Sequence, residues 1–372
     1  MTLLGTIRVE RRPYYLCTSC HHGFFPGDRA LRLEDTRLSA AAEEIVTLAG
    51  TLDSFEVAAE KVLPKMTGLH LGESTVERTT EAVGQRLAGD LARGDTFDEK
   101  TTWPWHTDAE GKTCAYVSLD ATGVGIQGAN GSKAEGRMVT VGMIYNPLPP
   151  RAALPPDQPR LPRPAAVSEA RYLAGFYDLD GIGAQLRRQA DAVGLWQAER
   201  VIALTDGGNG LEPMLRRDFD GAELILDFWH ASEHLSDLAK LYAAPAPAPA
   251  TADALTHRWC HQMKHEGGEA ILATLRGLDL TGCSAATLED HRQLIKHFEK
   301  NLPRMDYPRY QRQGWQIGSG SVEAACKTVI GGRLKGAGMR WGEDGADAVS
   351  HLRALFLSEK EQWDAFWAAP RN

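Results

Sequence analysis

The stretch Val201-Ile202-Ala203-Leu204-Thr205-Asp206, followed after one helix-patterned segment by Ala222-Glu223-Leu224-Ile225-Leu226-Asp227, decides the fold. Each is a short apolar run ending in an acid, the pattern of a strand covered on both faces. Two strands joined through a helix by a right-handed crossover lie parallel, so both acids fall at the same sheet edge. Upstream, Tyr116-Val117-Ser118-Leu119-Asp120 alternates like a strand that leaves the core at its last residue. Arg137 to Tyr145 resumes the alternation after a glycine-rich reversal through Gly131. The class expected is α/β with a mixed sheet.

Working outward, the prolines of 146–165 block helix and sheet and leave an extended connector, after which helical periodicity runs from Ser168 to Val193. From Ala231 to Tyr310 the pattern is helical except for the Ala-Pro alternation of Ala243 to Ala250. Gly318-Ser319-Gly320-Ser321 then opens a helix from Val322 that breaks at Gly331-Gly332. Toward the N-terminus, Ser54 to Leu63 reads as a helix stopped by Pro64 and Gly68, and Ser74 with Glu77 reads as the capping box of another. The two helices fit a helix-turn-helix variant presenting Arg78, Gln85 and Arg86 to a DNA groove, and equally a plain helical hairpin. Cys17-Thr18-Ser19-Cys20 places two thiols at adjacent corners of a tetrahedral Zn2+ site, which needs four ligands. An incomplete knuckle or a redox-labile pair explains it as well.

The 372 residues are 43% apolar and 24% charged, too apolar for a disordered chain and long enough for two or three domains. No apolar run approaches the roughly 20 residues that span a bilayer, and no secretory signal opens the chain, so a cytoplasmic protein with no membrane partner is expected. The net charge of −8 restricts any nucleic-acid contact to local patches such as Arg333, Lys335 and Arg340, where flanking glycines allow close approach to backbone phosphates.

Three acids stand at structural termini: Asp120 and Asp206 at strand ends, and Glu323 in the first turn of a helix. Carboxylates converging on the crevice at the ends of parallel strands repel one another unless a divalent cation lies between them, and Mg2+ favours such hard oxygen donors. Two such ions support in-line phosphodiester displacement. A helical ion pair with Lys327 is the plainer account of Glu323. Asp227-Phe228-Trp229-His230 adds an acid and a histidine able to donate to a phosphate or to anchor the helices that follow. Gly123-Val124-Gly125-Ile126-Gln127-Gly128 fits a dinucleotide fingerprint, but the β-patterned stretch beyond it forbids the helix that fingerprint requires, so no nucleotide cofactor is expected.

Asp120 in SLDATGV, Asp206 in LTDGG, the segment DFWHASEHL and GSGSVEAACK…RLKGAGMRW together resemble bacterial insertion-sequence transposases of the ISKra type, which carry a DDE triad on an RNase H-like fold. The resemblance covers nearly the whole chain. It implies a metal-dependent nuclease and strand transferase, with Asp120, Asp206 and Glu323 as the triad on two Mg2+ (Mn2+ substituting) and Asp227 and His230 as an Asp-x-x-His signature. The implied partners are the element's terminal inverted repeats and target DNA, engaged by a homodimer or larger assembly at the nucleoid. It further implies upstream cysteines completing the zinc site, so the chain reads as an N-terminally shortened copy. The domains expected are a partial zinc knuckle over 1–38, a helical DNA-binding region over 39–111, the first part of an RNase H-like core over 112–230, a helical insertion over 231–317, and the rest of the core with a tail over 318–372. A transposase-derived DNA-binding protein without catalysis, and a structure-specific nuclease of the same fold, are the rival expectations.

Overall fold

The computed structural model describes residues 14–25, 27–28, 38–97, 100–128, 132, 135–147, 167–208, 210–243 and 251–369. The proline-rich 148–165, the Ala-Pro run 244–250 and the reversal at Gly131 lie outside them. The chain divides into two compact units: Met1–Phe97 with Gly123–Val139 and Thr328–Asn372, and Asp98–Thr122 with Thr140–Lys327. These units cut across the expected domains. The helical residues 231–317 belong to the same unit as the parallel strands, whereas most of 318–372 groups with the N-terminal helices.

A two-stranded ribbon, β1 (Tyr15–Leu16) paired antiparallel with β2 (Gly23–Phe24), brackets the CxxC turn. The main sheet has six strands: β3 (His106–Thr107), β4 (Thr113–Ile126), β5 (Glu135–Pro147), β6 (Val167–Gly175), β7 (Arg200–Thr205) and β8 (Glu223–Leu226). Its order is β6-β5-β4-β7-β8, with β3 pairing β4. The β4–β7 and β7–β8 pairs are parallel and the β5–β6 and β3–β4 pairs antiparallel, so the sheet is mixed, as expected. Val117, Met143, Ile202, Leu204 and Ile225 are fully buried, as strands covered on both faces require.

Four local expectations are corrected. Asp120 is not at a strand end, because β4 continues to Ile126; it lies two residues beyond Ser118, the last residue of β4 paired in parallel with β7. The helical periodicity from Ser168 belongs in part to a strand, since Ala170 to Gly175 pair with Thr140 to Tyr145 and the helix starts only at Leu179, capped by Asp178. Pro64 does not stop its helix. A wider turn over Ala58–Val62, closed by the Leu63 N–H on the Ala58 carbonyl, precedes it, and the helical run ends at Gly68 with φ +71°. Gly331-Gly332 likewise leaves the run from Gly320 helical to Leu334.

In the first unit, the Ala40–Leu52 helix, the run Phe55–Thr67 and the Glu73–Arg93 helix share a core of Ala42, Val46, Ala58, Leu63 and Val76. Gly72 caps the Glu73–Arg93 helix without a side-chain bond, so the Ser74 capping box does not form. That helix packs against Glu343–Leu357, and Gly84 makes the approach possible: a Cβ there would lie 2.4 Å from the Ala348 carbonyl oxygen. In the second unit the Phe228–Ala243, Ala252–Glu266, Gly268–Arg276, Ala285–Asn301 and Tyr307–Gln313 helices bury Trp259, Phe298, Tyr307 and Tyr310. The Tyr307 hydroxyl donates to the Leu226 carbonyl at 3.0 Å, tying these helices to the end of β8.

Candidate functional site

Asp206 and Asp227 each follow the last residue of a parallel strand, and those last residues, Thr205 and Leu226, are in register. Beyond Asp206 the chain turns sharply at Gly207, whose φ of +81° and a virtual Cβ 2.8 Å from Leu226 Cδ1 leave space only for glycine. The Gly208 N–H donates to Asp206 Oδ1 at 2.7 Å and fixes the carboxylate.

Asp227 is 3% exposed and fully engaged. Its Oδ1 accepts from Trp229 N–H (3.0 Å) and Ser319 N–H (2.9 Å), and its Oδ2 from His230 N–H (3.2 Å) and the Ser319 hydroxyl (2.5 Å). It thus caps the Phe228–Ala243 helix while tethering the start of Gly320–Ala325, the helix that carries Glu323. The Phe228 N–H on the Ile317 carbonyl at 2.8 Å is a second tether. Glu323 then accepts from the Ser319 hydroxyl at 3.3 Å and pairs with Lys327 Nζ at 3.8 Å.

Asp120 is half-buried; its Oδ1 accepts from the Ala121 N–H at 2.7 Å and its Oδ2 from the Cys326 thiol at 3.6 Å. Burial raises this carboxyl above its ordinary value, the two hydrogen bonds hold it down in part, and the charges of Asp206 and Glu323 push it up again. The charges of two acids far apart in sequence thus both bear on Asp120. Repulsion of this kind is what a divalent cation relieves, so the donor set fits Mg2+ in its chemistry. Among the described residues no three His, Cys, Asp or Glu side chains stand close enough to hold an ion outright, so the carboxylates would have to close around it.

No family model and no curated protein matches the chain. Geometry and chemistry alone carry the site.

His230 lines a cavity of about 570 Å3 together with Asp206, Gly207 and Gly208. Its Nε2 faces His234 Nε2 at 3.2 Å, and the His234 ring lies 4.9 Å from that of His297. The remaining wall is Gln293, Lys296 and Lys300 of the Ala285–Asn301 helix. Burial lowers His297 to about 4, reinforced by the charges of His234, His230, Arg304 and Lys300. Behind it, Arg304 is 3% exposed and reaches Thr205 Oγ1 at 3.5 Å, bracing the end of β7. Sequence reasoning assigned no role to His234, Lys296, His297 or Lys300; the four-residue spacing of His230 with His234 and of Lys296 with Lys300 was the available signal.

Of the expected DNA contacts, Arg333 is corrected. It is 3% exposed, donates to the Gly50 carbonyl at 3.0 Å and lies 4.7 and 4.8 Å from the Phe55 and Trp341 rings. Burial pulls it down to about 10, and a guanidinium sequestered between two rings is not presented to a phosphate. Arg86 lies over Phe366 at 4.7 Å and Trp367 at 5.4 Å, stacked within its own unit. Arg78 is exposed, with its Nε donating to the Ser74 carbonyl of the same helix; Lys335 and Arg340 are also exposed. At the ribbon, Cys17 and Cys20 are exposed free thiols. Hydrogen bonds from Cys20 and then Ser19 lower the Cys17 thiol. Two sulfurs make half of a four-ligand zinc site, and among the described residues no cluster completes it.

Proposed function

We propose that the chain is a DDE transposase of an insertion sequence, with an RNase H-like core, that nicks DNA at its element's ends and transfers the freed strand into target DNA. The observation that carries this reading is that Asp120 lies against the end of the Glu323 helix, its Oδ2 accepting from the Cys326 thiol at 3.6 Å, while Asp227 beyond β8 anchors the start of that helix through Ser319. Asp120, Asp206 and Glu323 would hold Mg2+ or Mn2+. Two such ions would supply charge neutralisation at the attacking and leaving oxygens of a phosphodiester. Asp227 is a positioning residue that orients the Glu323 helix through Ser319, and His230 lines the cavity beside Asp206, where an imidazole can donate to a phosphate oxygen. Exposed Arg78, Lys335 and Arg340 are available to backbone phosphates. Terminal inverted repeats and target DNA are the partners, a homodimer or larger assembly on DNA the working state, and the cytoplasm with its nucleoid the location. Cys17 and Cys20 would contribute two ligands to a Zn2+ site.

The test is to search the DNA on either side of the coding region for inverted repeats and to assay Mg2+-dependent nicking of DNA carrying those ends. Asp120→Asn should reduce the rate at least about 100-fold, since replacing even a residue behind a metal ligand costs 10–100-fold. Footprints without strand breakage would favour a DNA-binding protein that no longer catalyses, and cutting of branched DNA regardless of sequence would favour a structure-specific nuclease.

A further inference from the structure

We infer that the cavity beside Asp206 is a groove for the sugar-phosphate backbone of the strand next to the bond being cut. The inference rests on the proposed reading of Asp206 as a catalytic acid and names what lies against it. Among the described residues that line it, which include His230, His234, Lys296, His297 and Lys300, Asp206 is the one carboxylate. In a chain of net charge −8, Lys296 and Lys300 supply local positive charge here, and three imidazoles and the Gln293 amide add hydrogen-bonding groups around it. Glu233, Asp237 and Asp290 influence His234 but do not line the cavity. A cation would meet repulsion from the lysines here; an anion would meet donors from two helices and the turn after β7.

The shape favours a strand over a single small anion. Gln293, Lys296, His297 and Lys300 follow one face of the Ala285–Asn301 helix. Lys296 and Lys300 are one turn apart, a rise of about 6 Å, of the order of the distance between successive phosphates. Gly207 and Gly208 offer only backbone, so a strand can approach Asp206 closely. The neighbouring positive charges that help to hold His297 at about 4 would be relieved by bound phosphates.

The test uses the full chain and a labelled single-stranded oligonucleotide of arbitrary sequence, with binding followed by anisotropy in EDTA across a salt series. Each phosphate contact on a single strand contributes about 0.7 to the slope of log affinity against log salt. Lys296→Ala with Lys300→Ala should flatten the slope by about 1.4 and weaken binding about tenfold or more at moderate salt. The paired arginine substitutions should restore both quantities, and Lys112→Ala with Lys264→Ala, outside the cavity, should change neither. Both cavity lysines are exposed, so unchanged melting will show that the variants fold; Lys296→Glu with Lys300→Glu gives a second, stronger perturbation. Absence of binding by the natural sequence, or an unchanged slope in the alanine variant, overturns the groove. So does inorganic phosphate competing as well as an unlabelled oligonucleotide at equal phosphate concentration. If the natural chain nicks DNA but the slope does not move, the groove alone fails. If it never nicks yet the slope moves, the groove stands and the transposase reading fails.

Discussion

Asp120 takes up a proton more readily than an ordinary aspartate, because burial comes first and the charges of Asp206 and Glu323 add to it. A carboxyl raised in the folded state contributes stability that is fully present below its ordinary value of 3.8 and is lost as pH rises through the raised value. Near neutral pH the ionised group therefore weakens the metal-free fold, and Asp120→Asn should melt at a higher temperature than the natural chain in EDTA at pH 7. That advantage should shrink toward pH 4 and narrow again when Mg2+ is added at neutral pH; melting curves that coincide at every pH would contradict it. His297 has the opposite sense. Lowered from 6.5 to about 4, it contributes stability above pH 6.5 that is lost as pH falls toward 4. His297→Gln should flatten the acid loss of stability in that window, and the NMR titration of its ring should centre near 4. The acids were legible at this scale because acid-after-apolar-run is a local pattern. The arginines were not, since whether Arg333 meets solvent or the Phe55 and Trp341 rings depends on contacts remote in sequence.

At the scale of elements, the decisive joint is Asp227. One buried carboxylate caps a helix and holds Ser319 through both N–H and hydroxyl, so Asp227→Ala removes four hydrogen bonds and leaves donors unpaired. We expect a loss of about 2–4 kcal/mol in urea unfolding, with a fall in nicking because Glu323 loses its anchor. Stability within about 0.5 kcal/mol of the natural chain would show that the tether is dispensable. Gly84 sets a second joint. Gly84→Ala puts a methyl against the Ala348 backbone and should cost about 1–3 kcal/mol by overpacking, read from the same unfolding curves. The parallel pair β7–β8 was readable because its apolar runs are short, continuous and closed by acids and turns. The strand β6 was not: Ala170-Arg171-Tyr172-Leu173 suits a helix face equally well, and what decides it is the pairing with β5 and a buried Arg171 bonded to Gln189 at 3.2 Å. Pro64 and Gly331-Gly332 misled for a related reason, since a local widening of the helical turn accommodates residues that usually end a helix.

For the whole molecule, periodicity cannot reveal which distant segments share a core, so the grouping of Thr328–Asn372 with Met1–Phe97 was hidden. Among the described residues no helix is long and apolar enough to cross a membrane. With a net charge of −8, the proposed DNA contact requires local positive charge, which Lys296 and Lys300 supply beside Asp206. The claim on which this arrangement depends is that Asp120, Asp206 and Glu323 form a single ion-binding site. The most direct measurement is an anomalous difference map from crystals of the full chain grown with Mn2+. The account predicts a peak with carboxylate oxygens of Asp120, Asp206 and Glu323 around it at roughly 2.0–2.3 Å. A map with no peak there, and with the three carboxylates more than about 10 Å apart, would contradict it.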